Sequence, residues 1–237
     1  MTQRILYLAR AACVATCLLL MPAYAGAQVN LELGNGLIRQ GAPLLRSPMM
    51  TTVTTGGPWF AFMFYDVGSF AVDCAGSCAA SSGENSVDAG SPPWTFSSTS
   101  WRKLTVTDWY FVGDQFMVYD FDQSIGTTSL ADGTDYYFCG TDPDVCVADP
   151  RASHGIFILE PGDHSITIQV IASPFGIGAA LFRVDNLFAG TPGQANCHGM
   201  SVSALARQYV SLANAAAQLG FPSVEALQIA IVEHCGN

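Results

Sequence analysis

The spacing of apolar and polar positions changes character along the 237-residue chain. From Trp59 the residues Trp59, Phe60, Ala61, Phe62, Met63 and Phe64 leave no polar face, which predicts a central strand or one covered on both sides. Phe70-Ala71-Val72 predicts a short strand that stops at Cys74. Leu104-Thr105-Val106-Thr107 alternates cleanly, as a half-buried strand should, and the alternation lapses over Trp109-Tyr110-Phe111-Val112. Residues 115–119 and 124–128 predict two arms of a hairpin around Phe121-Asp122. Residues 155–159 follow, then a turn at Pro161-Gly162-Asp163 and a strand over 164–172. In that strand Ile166, Ile168 and Val170 share one face, with Thr167 and Gln169 on the other. Residues 179–184 close the series. Short strands at this spacing predict a mainly β fold, a jelly-roll-like antiparallel β-sandwich.

After Gly190 the period becomes helical. Val202, Leu205, Ala206, Tyr209, Val210 and Leu212 fall on one stripe, and Val224, Leu227, Ala230 and Ile231 on another. Gly220-Phe221-Pro222 separates them, and Ser223 stands where an N-cap belongs. The prediction is a small C-terminal α-helical hairpin over 190–237, too small to hold a core alone. The sandwich domain spans 58–189, and an irregular lead-in spans 28–57. Residues 1–27 read as a cleaved signal peptide: Arg4 and Arg10 precede an apolar run over 11–21, and Ala23-Tyr24-Ala25 and Ala25-Gly26-Ala27 offer small-residue cleavage sites. The expected location is therefore secreted or periplasmic, with no membrane span in the mature form.

Composition narrows the partners. The formal charge is −10, with 9 basic against 19 acidic residues, so a polyanion such as nucleic acid is excluded, and adhesion to anionic lipid through a basic face is disfavoured. Six cysteines lie beyond the leader: Cys74, Cys78, Cys139, Cys146, Cys197 and Cys235. Sequence alone does not fix their pairing. Proximity favours Cys74–Cys78, Cys139–Cys146 and Cys197–Cys235. The last closes the longest loop and should contribute most, about 3–4 kcal/mol. Zinc on Cys74, Cys78, Cys139 and Cys146 is the alternative, and it suits an oxidising compartment less well.

Several stretches resemble a sandwich module of exported bacterial proteins, found in surface proteins with C-terminal sorting tails. They are Pro93-Trp94-Thr95-Phe96, Leu104-Thr105-Val106-Thr107-Asp108, Gly113-Asp114-Gln115-Phe116, Gly126-Thr127-Thr128-Ser129, Ala148-Asp149-Pro150, Pro161-Gly162-Asp163-His164-Ser165-Ile166-Thr167 and Phe182-Arg183-Val184. The likeness covers roughly 58–185 and implies a fold without an assigned activity. Where that module turns its hairpin with Asn-Gly, this chain has Phe121-Asp122. Phe is poor at positive φ, so a longer or bulged connection is expected. In place of the sorting tail, residues 190–199 and 201–205 resemble a Cys-bounded helical appendix of exported bacterial proteins, which likewise implies no chemistry.

Linear catalytic motifs are absent: no Gly-x-Ser-x-Gly, His-Glu-x-x-His or Walker loop occurs. Asp163-His164-Ser165 has triad residue types, but neighbours on a strand point apart, so a turn is the better reading. His198 and His234 would be brought near each other by Cys197–Cys235, and two ligands without a carboxylate make a poor metal site. Surface imidazoles are expected there.

The long segment 129–153 carries the main candidate site. Tyr136, Tyr137, Asp142, Asp144 and Asp149 are candidate ligand-binding residues, with the tyrosines exposed as stacking platforms for a sugar ring. Asp132, Asp135, Asp142 and Asp144 are candidate calcium ligands, although their spacing is not that of an EF-hand. Otherwise no cofactor is expected. The leading expectation is a non-catalytic binding or surface-interaction protein, with a glycan or another envelope protein as partner. A secreted hydrolase assembled from Asp108, Asp114 or His154 is one alternative. A structural envelope or matrix component is the other.

Overall fold

The computed structural model describes residues 51–130 and 137–236. The leader, the lead-in up to residue 50, and Asp132, Asp135 and Tyr136 lie outside the described residues. Among the described residues twelve strands and four helices follow one another. The strands are β1 (Thr51–Thr52), β2 (Trp59–Phe64), β3 (Ser86–Asp88), β4 (Trp94–Ser98), β5 (Arg102–Asp108), β6 (Tyr110–Val112), β7 (Gln115–Asp120), β8 (Gln123–Thr127), β9 (Tyr137–Gly140), β10 (His154–Leu159), β11 (Gly162–Ala172) and β12 (Gly178–Asn186). Helix α1 (Pro143–Ala148) lies between β9 and β10, and α2 (Cys197–Gln208), α3 (Leu212–Gln218) and α4 (Val224–Cys235) end the chain.

Among the described residues the strands form two five-stranded sheets and a two-stranded ribbon. One sheet has the order β1-β4-β11-β7-β8, the other β10-β5-β12-β2-β3, and the ribbon is β6-β9. Among the described residues the chain passes directly between the large sheets at β1–β2, β3–β4, β4–β5, β10–β11 and β11–β12. The mainly β, jelly-roll-like sandwich read from the strand spacing is the fold. Antiparallel pairing holds throughout the interior, while β1 joins β4 and β3 joins β2 in parallel at the edges.

The sandwich core forms where the inward faces of the two sheets meet. Phe62 of β2 lies 5.5 Å from Trp94 of β4 and 5.8 Å from Phe116 of β7, ring centre to ring centre. Ile166, Ile168 and Val170 of β11 point into this core, as their shared face predicts. The polar-free reading of β2 has its cause on the opposite face. Trp59 and Ala61 are buried there beneath a second cluster with Leu181, Trp109, Val112, Cys74, Cys139 and Cys146.

That cover is braced by Cys74–Cys78 and Cys139–Cys146, and the helices by Cys197–Cys235. All three pairings are those proximity favours, and no thiol of this set remains for zinc. Segment 129–153, patternless in sequence, contains β9 and α1.

Two local expectations are corrected. The β7–β8 connection is a two-residue turn: Asp120 pairs with Gln123, and Phe121 (φ 45) and Asp122 (φ 63) both take left-handed backbone. The irregularity sits instead as a register shift at Val118/Tyr119. The turn is held from outside, because the Asp120 carboxylate accepts from Ser165 N (2.9 Å) and meets His164 Nδ1 (2.7 Å), and Phe121 N donates to Ser165 O (3.0 Å). His164 is thereby a structural bridge, its Nε2 lying 2.9 Å from the Glu160 carbonyl.

The C-terminal hairpin, likewise, is a three-helix unit. Val210 at φ 69 breaks the first predicted stripe, and Ser211 restarts the helix by accepting from Asn214 N. Ser223 caps α4 in the same way, as predicted. These helices bury Leu205, Leu227 and Ile231 against Leu187 and Phe188 at the end of the sandwich, with Trp101 and Ile158 packed alongside. His234 belongs to that core. It is 7% exposed and its Nε2 lies 2.8 Å from the Gly190 carbonyl, so it is no surface imidazole, whereas His198 is exposed. No helix among the described residues is long and apolar enough to cross a membrane.

Candidate functional site: an aromatic cleft over a buried carboxyl pair

The lapse of alternation after Thr107 marks the place where the chain leaves its sheet. Strand β5 ends at Asp108, and Tyr110 then takes φ 67, a left-handed conformation that is unfavourable for a bulky side chain. This reversal turns β6 away from β5 to pair with β9. Asp108 ties the excursion shut. Its Oδ1 accepts from Trp109 N (2.8 Å), and its Oδ2 accepts from Gly113 N (2.8 Å) and Asp114 N (2.9 Å). Glycine is required at 113, where φ is 149 and a Cβ would come within 2.7 Å of Pro174 Cγ.

Asp114 sits at the end of this excursion, 5% exposed, and its Oδ1 has no hydrogen-bond partner. Burial pushes its carboxyl up to about 6, against hydrogen bonds from Ser173 and Asp108 that favour the charged form. Asp108 is also raised, first by burial and then by the charge of Asp114, with its three backbone N–H groups opposing. Two buried carboxyls in contact do not ionise independently. The N–H groups on Asp108 oppose its rise without reversing it.

Above this pair opens a cleft of about 540 Å³, within the usual range for small-molecule sites. Trp109, Tyr110, Phe111, Phe175 and Ile177 form its walls, Asp114 lines it, and no Lys, Arg or His does. The Trp109 and Tyr110 rings are 4.2 Å apart. Phe138 of β9 extends the aromatic surface, with its ring 5.5 Å from Phe111 and 5.9 Å from Tyr110. Phe111 is 44% exposed and Phe138 47%. Gly178 keeps the floor open, since a Cβ there would meet Phe64 at 2.4 Å and Asp114 Oδ2 at 3.1 Å.

The residues singled out in 129–153 lie on the neighbouring cover and are held by protein partners. Asp142 caps α1, accepting from Asp144 N. Asp144 accepts from Trp59 Nε1 (3.2 Å), Asn85 Nδ2 (3.3 Å) and Arg183 (3.2 Å). Asp149 accepts from Arg151 and from the Tyr137 hydroxyl (2.8 Å), and the Arg151 hydrogen bonds hold its carboxyl well below the usual range. Tyr137 is half-buried rather than exposed, its ring covered by the Arg151 guanidinium at 3.2 Å. Asp144 and Asp149 share a shallow dip in the surface but face arginines rather than each other. Among the described residues no three His, Cys, Asp or Glu side chains converge as a metal site.

Of the three residues named for a hydrolase, Asp108 and Asp114 come together. His154 does not line the cleft, and its Nδ1 lies 2.9 Å from the Ala152 carbonyl. The aromatic walls went unrecognised in the sequence, where Trp109-Tyr110-Phe111-Val112 stands only as a lapse of alternation. The signal that could have found them is the broken alternation just before Gly113-Asp114.

No protein family and no curated protein matches the chain. Two solved structures are similar over part of it. One is the C-terminal CBM6 of LamC, a marine laminarinase from Zobellia galactanivorans, at 11% identity over 51% of this chain and 75% of that one, with a TM-score of 0.29. The other is the pre-peptidase C-terminal domain of a collagenase from Bacillus anthracis, at 12% identity over 59% and 97%, with a TM-score of 0.27. At these scores neither likeness bears on what this chain does.

Proposed function

We propose that the chain is an exported, non-catalytic binding module that takes a saccharide in the aromatic cleft. The observation that carries this reading is an apolar, ring-lined cleft with a carboxyl at its base, one oxygen of which lacks a hydrogen-bond partner. A sugar ring has a flat C–H face that packs on aromatic rings and hydroxyls that donate to a carboxylate. Export accords with three disulfides, which persist only where thiols oxidise. Segment 129–153 takes part through Phe138 on β9, while Asp142, Asp144 and Asp149 brace the cover.

The test is calorimetry against a panel of neutral, acidic and aminated oligosaccharides. A Phe111→Ala/Phe138→Ala protein should bind its best ligand at least about tenfold more weakly, because it loses two half-exposed rings from the mouth of the cleft. Unchanged affinity in that variant, or no binding across the panel, would remove the proposal. A hydrolase at the same cleft is the second reading. The proton-holding carboxyl favours it, and the position of His154 does not.

A further inference from the structure

The proposed saccharide site has a charge that a neutral sugar would leave unmatched. Asp108 and Asp114 are 0% and 5% exposed and hydrogen-bonded to each other, Asp114 lines the cleft, and Asp114 Oδ1 is unpartnered. The groups packed around Asp114 are Asp108 of β5, Tyr110 of β6, Ser173 of the β11–β12 connection and Gly178 of β12. None is cationic. Among the described residues several carboxylates have a basic partner: Arg151 on Asp149, Arg183 on both Asp144 and Asp185, and His164 on Asp120. The carboxyl pair lacks one, in an apolar setting where an unmatched charge is costly.

Resting on the saccharide reading above, we infer that the ligand of this cleft carries a protonated amino group, which pairs with Asp114 while its sugar ring lies against Tyr110 and Phe111. An ammonium supplies both the hydrogen-bond donor that Asp114 Oδ1 lacks and the positive charge that the pair lacks. The walls of Trp109, Tyr110 and Phe111 add attraction of ring faces for a cation. The same arrangement rejects uronates and sulfated sugars, because it would place like charges together in a dry site. N-acetylation removes the charge, so an acetylated sugar keeps only the ring contact.

Calorimetry with glucosamine oligomers, their N-acetylated counterparts and uronate oligomers of equal length tests this. Near pH 7 the glucosamine form should bind about tenfold or more tighter than the acetylated form, and the uronate should bind least. Cation pairing requires Asp114 ionised. The preference should therefore shrink as pH falls through about 6, when Asp114 takes up its proton. Asp114→Asn should bring the two affinities level, with circular dichroism confirming that the variant is folded.

Equal or tighter binding of the acetylated form by wild-type protein overturns the inference and leaves the saccharide reading standing. So does a preference that survives in Asp114→Asn or does not change with pH. Failure of every oligomer to bind overturns both.

Discussion

An Asp108→Ala protein is expected to lose about 3 kcal/mol of stability in urea unfolding followed by tryptophan fluorescence. The carboxylate accepts three backbone N–H groups from the 109–114 excursion. Each donor, left buried without a partner, costs about 1–3 kcal/mol. Part of that cost is offset, since the substitution also removes a desolvated acid pressed against Asp114. The backbone term wins because three donors are orphaned and one charge is relieved. Asp108→Asn keeps an acceptor oxygen for part of the set and should fall between wild type and alanine. A loss within about 0.5 kcal/mol for the alanine variant would mean that the excursion does not depend on this carboxylate.

Phe182→Ala is expected to cost more, about 4 kcal/mol. Phe182 is fully buried on β12, and its ring lies 4.6 Å from Trp94, 5.3 Å from Phe60 and 6.3 Å from Phe62. Trp94 belongs to the opposite sheet, so the ring fastens the two layers to each other as well as filling its own. Truncation removes transfer energy and leaves a void among aromatic rings, which collapse poorly around it. Urea unfolding measures the loss from the shift in midpoint at constant slope. A loss below about 2 kcal/mol would show that the core closes over the gap.

The sandwich was legible because burial dictates a period. β2 has no polar face because it is covered on both sides, and β11 alternates because only one of its faces meets the core. The disulfides follow the pairing that proximity favours, at separations of 4, 7 and 38 residues, although sequence alone left other pairings open. What the sequence concealed depends on tertiary partners. Phe121 takes left-handed backbone because His164 and Ser165 of the neighbouring strand hold the turn through Asp120 and Phe121 N, against its own preference. Val210 ends a helix where the apolar stripe continues. The functional site was hidden twice over. Tyr110 leaves the sheet by a strained conformation that no periodicity encodes, and the cleft gathers residues from β6, the β11–β12 connection and the cover. The aspartates of 129–153 were conspicuous in sequence, yet three of them serve as a cap and as arginine partners. Local composition marked that segment correctly as unusual without revealing that its role is to roof the outer face of β2.

The proposed function requires that a disulfide-braced frame recognise its ligand at the β6–β9 edge. Titration of isotope-labelled protein with the best-binding oligosaccharide, followed by amide chemical shifts, tests it most directly. The predicted result is saturable shifts confined to residues 109–114, 137–140 and 173–179, with the sandwich interior and α2–α4 unmoved. Shifts centred on the C-terminal helices, or spread through both sheets, would contradict it.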